Sequence, residues 1–93
     1  MLVGICELFI YLPESQSLKE KRSIIKSIKV QLRKKYNISI SEIGQKDIWK
    51  KCTIGICCLG DNRQIIDKII DSVIKDIESN SKIELVNFQT SIV

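Results

Sequence analysis

SLKEKRSIIKSIKVQLRKKY, Ser17 to Tyr36, is the longest stretch of the chain with a single clear period, and it decides the fold. At 100° per residue Leu18, Ile25, Ile28 and Leu32 fall on one side of a helix, with Ile24 and Tyr36 at the margins. An apolar stripe of that width covers a sheet. Ser17 opens S-x-x-E with Glu20, a capping box worth on the order of 1 kcal/mol that fixes where the helix starts. Beside the stripe, Lys19, Arg22, Lys26, Lys29 and Arg33 follow one another at steps of three, four, three and four, so five cations form one line. Like charges at such spacing repel by roughly 0.2 to 0.5 kcal/mol per pair, so the row asks for anions from elsewhere in the fold or from a partner. Lys21 is different, because it projects on the apolar side. Its stem should lie along the sheet while its ammonium reaches out beside the helix start, as a structural anchor first and an anion holder second.

Outward from this helix the pattern changes period. Leu2 to Tyr11 alternates as a strand, with Leu2, Gly4, Cys6, Leu8 and Ile10 on one face and Val3, Ile5, Glu7, Phe9 and Tyr11 on the other. Both faces are largely apolar, which suits a central strand, and Pro13 stops it. After the helix, Asn37 offers a left-handed stop, and Ile38 to Glu42 alternates strictly, as an edge strand with one wet face does. Gly44 to Asp47 is turn-like. Trp49 to Leu59 then reads as a strand with Cys52, Ile54, Ile56 and Cys58 inward, Trp49 closing one end of the core. Asp61 with Gln64 repeats the capping spacing before a second amphipathic helix of Ile65, Ile66, Ile69, Ile70, Val73 and Ile77, and Ile83 to Phe88 supplies a last strand.

Two strand-helix-strand units in 93 residues predict one α+β domain over 1–93: a ferredoxin-like split βαβ (βαββαβ) with a four-stranded antiparallel sheet and both helices on one face. Right-handed crossovers put the first and third strands in the middle. Val3, Ile5, Phe9 and Tyr11 then line an open face around Glu7, a candidate surface for a second copy or another partner.

Composition narrows the class. No apolar run approaches the roughly 20 residues that span a bilayer, and the N-terminal run carries Glu7 and no basic flank, which points to a cytoplasmic protein without a membrane partner. The formal charge is +4, but Ser17 to Tyr36 holds eight of the 15 basic residues against one acid, so the charge is segregated. The four cysteines have no C-x2-C spacing and the chain has no histidine, so neither a metal nor another cofactor is expected and the thiols read as small buried hydrophobes. Cys57 and Cys58, being adjacent, point to opposite faces of their strand.

QSLKEKR at Gln16 to Arg22, NISISEI at Asn37 to Ile43, and Asp47-Ile48-Trp49 together resemble the YlxP-like family, small bacterial proteins classed as a domain of unknown function. The likeness extends over nearly the whole chain. It implies a ferredoxin-like fold and, because such proteins are often encoded beside transcription and translation factors, a place near ribosome assembly; it implies no known reaction. Where the family pattern has an acidic residue and a histidine before Asp-x-Trp, this chain has Gly44 and Gln45, so a ligand role for that loop does not carry over.

The residues point to binding rather than catalysis. General acid-base chemistry usually rests on histidine, no serine sits in a nucleophile elbow, and Cys57 has no visible base. Lys19, Arg22, Lys26, Lys29 and Arg33 are the candidate contacts to RNA or a ribosomal particle. Two other readings compete. In one, the row is a solvated face whose cations pair with Asp67 and Asp71 of the second helix; in the other, the chain is a structural or regulatory homo-oligomer working through its open sheet face.

Overall fold

The computed structural model describes residues 1–93. The chain runs β1 (Leu2–Tyr11), α1 (Leu18–Lys35), β2 (Ser39–Gly44), β3 (Lys51–Gly60), α2 (Arg63–Glu78) and β4 (Glu84–Ile92). Its antiparallel sheet has the order β2-β3-β1-β4, with β1 and β3 central as the crossover rule requires. The protein is a four-stranded α+β domain of ferredoxin-like architecture.

One face of the sheet carries the core. Cys6, Leu8 and Ile10 of β1, and Cys52, Ile54, Ile56 and Cys58 of β3, are buried against Ile25, Ile28 and Leu32 of α1 and Ile66, Ile70, Val73 and Ile77 of α2. Gly4 lets α2 come this close to β1, since a Cβ there would run into Ile66 and crowd Ile70. Leu18 is only half-buried. Its end of the α1 stripe is taken by Lys21, which is 1% exposed.

The element ends show where local signals were overruled. Ser17 caps α1, its Oγ accepting from the Glu20 N–H at 3.1 Å, while the Glu20 carboxylate accepts from the Gln16 N–H at 2.7 Å, one residue earlier than a standard capping box. The helix stops at Tyr36 in extended backbone, and Asn37 does not take the left-handed conformation; the one non-glycine residue that does is Gln45, at φ 59°. Asn62, not Asp61, caps α2, its Oδ1 accepting from the Ile65 N–H at 3.0 Å. β2 runs two residues beyond Glu42, to Gly44, with Ile43 as a bulge against β3. Trp49 lies in the turn before β3 and is 51% exposed, so it does not close the core.

β4 is longer than its hydrophobicity suggests. Phe88 to Ile92 pairs with β1 back to Gly4, because β1 offers a full row of backbone groups that polar side chains can pair with as well as apolar ones.

Candidate nucleic-acid interface

The cation row lies along one wall of an open groove between α1 and the edge strand β2. Arg22, Lys26, Lys29 and Arg33 line it, with Ile25 and Val30 between them, and its volume is about 390 Å³. Lys19, one turn nearer the helix start, does not line it. Four of the five residues in the row are thus brought together. Arg33 is partly committed, its Nη2 donating to the Ile40 carbonyl at 3.1 Å.

The pairing expected for the row with Asp67 and Asp71 does not form. The chain's ion pairs are Lys21 with Glu42 and Lys35 with Asp76. Asp67 and Asp71 line a separate groove between α2 and β4, on the far side of the molecule from β2. The reason is rotational: the row turns toward β2, away from α2.

Lys21 explains how an acid can sit beside the row without quenching it. Its ammonium does not reach solvent; it donates to the carbonyls of Gln45 at 2.6 Å and Ile48 at 2.8 Å, and it lies 2.9 Å from Glu42 Oε2. The three hydrogen bonds of the ammonium go to carbonyls, the third that of Lys46 at 3.4 Å, and Glu42 adds an ion pair rather than a hydrogen bond. Glu42 Oε2 is buried and accepts no hydrogen bond, so the Lys21 charge is its sole partner. The carboxylate at the floor of the groove is therefore neutralised from inside, and the cations along the wall keep their charge. Lys21 is the anchor of the β2–β3 turn, and its anion is internal.

Glu42 is the residue that sequence reading missed. The signal existed: in the alternation Ile38, Ile40, Glu42 it falls on the inward face, where a charge requires a partner, and Lys21 is the other charge on an apolar stripe.

On the opposite side of the sheet Ile5 is 37% exposed, while Val3, Phe9 and Tyr11 are half-buried. Ile43, Leu59 and Val86 extend this apolar face and are more exposed than the four expected residues. Gly55 makes room for Ile43, which would crowd any Cβ at that position. Glu7 sits in the middle, half-buried, and its carboxylate has no ion pair within the chain.

The thiols divide by burial. Cys6, Cys52 and Cys58 are buried and Cys57 is exposed. Desolvation, reinforced by Cys58 and Glu7, pushes Cys6 up to about 11. Desolvation and then Glu42 push Cys52 up to about 12. These two are thiols, not thiolates, at neutral pH, and neither is a nucleophile there. Nowhere do three or more His, Cys, Asp or Glu side chains gather into a metal-binding group. No helix is long and apolar enough to cross a membrane.

A model of a family of proteins of unknown function, DUF503, matches residues 3–90. The chain belongs to the DUF503 family. A Bacillus subtilis (strain 168) relative, named uncharacterized protein YlxP, is 39% identical over 79 residues, which is 85% of this chain and 84% of that one. Among solved structures, the de novo designed protein Foldit4 aligns over 100% of this chain and 97% of its own with a TM-score of 0.54 at 14% identity, a likeness of fold alone. In this DUF503 chain the S-L-K-E-K-R segment has a structural account. Ser17 caps, Glu20 closes on Gln16, Lys21 pins the β2–β3 turn, and Arg22 opens the cationic groove. The turn that holds Gln45 and Ile48 is tied to the start of α1 by Lys21 alone among side chains, while Lys50 Nζ joins its end to the Pro13 carbonyl at 2.8 Å.

Proposed function

We propose that this protein is a non-enzymatic binding protein of the cytoplasm that holds structured RNA, free or within a ribosomal particle, through the α1–β2 groove. The observation that carries this is the lining of the groove: four cations on one wall, whose single acidic neighbour, Glu42, is already neutralised by Lys21. Such a wall matches a phosphodiester backbone, and each phosphate contact releases condensed counterions, so binding is sequence-independent and weakens with salt. Lys19 extends the positive field beyond the groove without shaping it.

Salt titration tests it. With three to four phosphates held, log K against log salt for single-stranded RNA has a slope of roughly −2 to −3, at about 0.7 per contact. Arg22→Ala with Lys26→Ala flattens the slope by about 1.4, equally for unrelated RNA sequences, and leaves the fold intact because both side chains are exposed. This pair is preferred to one including Arg33, which also holds the Ile40 carbonyl. Unchanged affinity and slope in the double variant reduce the row to a solvated face.

The second reading, a homo-oligomer working through the open sheet face, is favoured by the exposure of Leu59 at 61% and Val86 at 67%. Glu7 weighs against simple face-to-face self-packing, since a twofold axis through the middle of that face would bring two unanswered carboxylates together.

A further inference from the structure

The two edges of the sheet are not equivalent. β2 is six residues long, bulged at Ile43, and has the Ile40 carbonyl covered by Arg33. Each of these is a device that stops an edge from recruiting another strand. β4 is nine residues long; its own bulge, at Val86, leaves Asn87 to Ile92 in regular register, and from Leu85 to Ile92 it carries no charge and no proline. The outward groups of β4 follow from its register. Val3 and Val93 exchange both backbone hydrogen bonds, at 2.8 and 2.9 Å, so by alternation Ser91, Gln89 and Asn87 point their backbone groups at β1. Phe88, Thr90 and Ile92 therefore point theirs away from the sheet. The Asn87 side chain accepts from the Phe88 N–H at 2.8 Å. The N–H groups of Thr90 and Ile92 and the carbonyls of Phe88 and Thr90 have no partner in the chain.

We propose that β4 pairs antiparallel with β4 of a second copy about a twofold axis at Thr90, joining the two sheets into one of eight strands. Thr90 then exchanges both backbone bonds with Thr90 of the second copy, and the Ile92 N–H donates to the Phe88 carbonyl across the axis without displacing Asn87. The side chains are self-complementary in this register. On the helix side, half-exposed Phe88 meets Ile92 and Thr90 meets Thr90; on the open side, Gln89 meets Ser91. No like charges face each other along the strand, and the groove that flanks it on α2 carries Arg63 together with Asp67 and Asp71, so it is not of a single sign. A twofold axis is the one symmetry that lets a single strand be its own partner. The pairing places the two open faces side by side and the two cationic grooves at opposite ends of the assembly, since β2 is the far edge in each copy.

Sedimentation equilibrium from low micromolar to near-millimolar protein tests this, together with amide exchange at both extremes. The expected result is a dimer of twice the chain mass, with Thr90 and Ile92 amides gaining protection as concentration rises while Val93, already bonded to Val3, does not change. Thr90→Pro removes no bond to β1, so the monomer keeps its fold, yet it deletes a donor from each side of the axis and raises the dimer dissociation constant about 10- to 100-fold. Phe88→Lys, at a 46%-exposed position, weakens the dimer in the same direction by placing a charge on the pairing edge. A chain that stays monomeric throughout overturns the proposal. So does a dimer that both variants leave intact, which places the contact on another surface, or an edge that captures extended peptides while the chain alone stays monomeric.

Discussion

Lys21 shows how a charge can be buried and still be structural. An ammonium 1% exposed is tolerable only because three backbone carbonyls accept its hydrogen bonds and the Glu42 carboxylate lies 2.9 Å away as its counter-charge. Removing the cation alone leaves a buried carboxylate and the turned-in carbonyls unanswered. Lys21→Met is accordingly expected to lower unfolding free energy by about 3 to 5 kcal/mol, measured by urea denaturation. Adding Glu42→Leu should recover part of that loss. If Lys21→Met costs no more than an exposed lysine would, the cage does not hold the turn.

At the scale of elements, the helices are tied to the sheet unequally. α2 crosses the centre of the sheet and is seated by the missing side chain of Gly4. Gly4→Ala is expected to push α2 outward and cost about 1 to 3 kcal/mol, read as a lower thermal midpoint. Shortening Ile66 to Ala in the same chain should remove the clash, making the two changes less than additive. α1 covers the β2 side and is joined to α2 at its far end, where the Tyr36 hydroxyl donates to Asp76 Oδ2 at 2.7 Å and Lys35 Nζ to the same oxygen at 3.1 Å. Those bonds, the Tyr36 one first, hold the Asp76 carboxyl below its ordinary value. One oxygen serving both groups fixes the spread of the helix pair, while the cation row on the other flank of α1 remains free of acids from α2.

For the whole molecule, the two most buried thiols couple the fold to alkaline pH. Cys6 and Cys52 have folded values of about 11 and about 12, both above the ordinary 9.0. Because both values are raised, the unfolded chain loses these protons first. The stability tied to the neutral thiols is complete below about pH 9 and falls as pH rises toward 11 and 12, by on the order of 1 kcal/mol per thiol per pH unit. Urea midpoints between pH 8 and 11 should show this decline, and Cys52→Val should make it shallower. An identical decline in the variant would remove Cys52 from the account.

What the sequence determined by itself was the order of elements, the layer they form and most of the core, Ile65 proving exposed and Ile74 buried in α2. These rest on periods of 3.6 and 2, on Ser17 with Glu20, and on Pro13, signals that neighbours in the chain generate among themselves. The alternation in β1 was also sufficient to separate core from open face, because a strand has only two sides. Tertiary structure alone decided the rest. Polar Gln89 to Ser91 became strand because β1 had backbone groups to pair, and Trp49 stayed outside because the turn held by Lys21 ends beside it. The cation row was legible as five residues in line; that four of them face β2, that Asp67 and Asp71 lie out of reach, and that Glu42 is answered from beneath depended on how α1 is rotated over the sheet. That rotation is set by packing across the core, between residues far apart in sequence, and no local pattern encodes it.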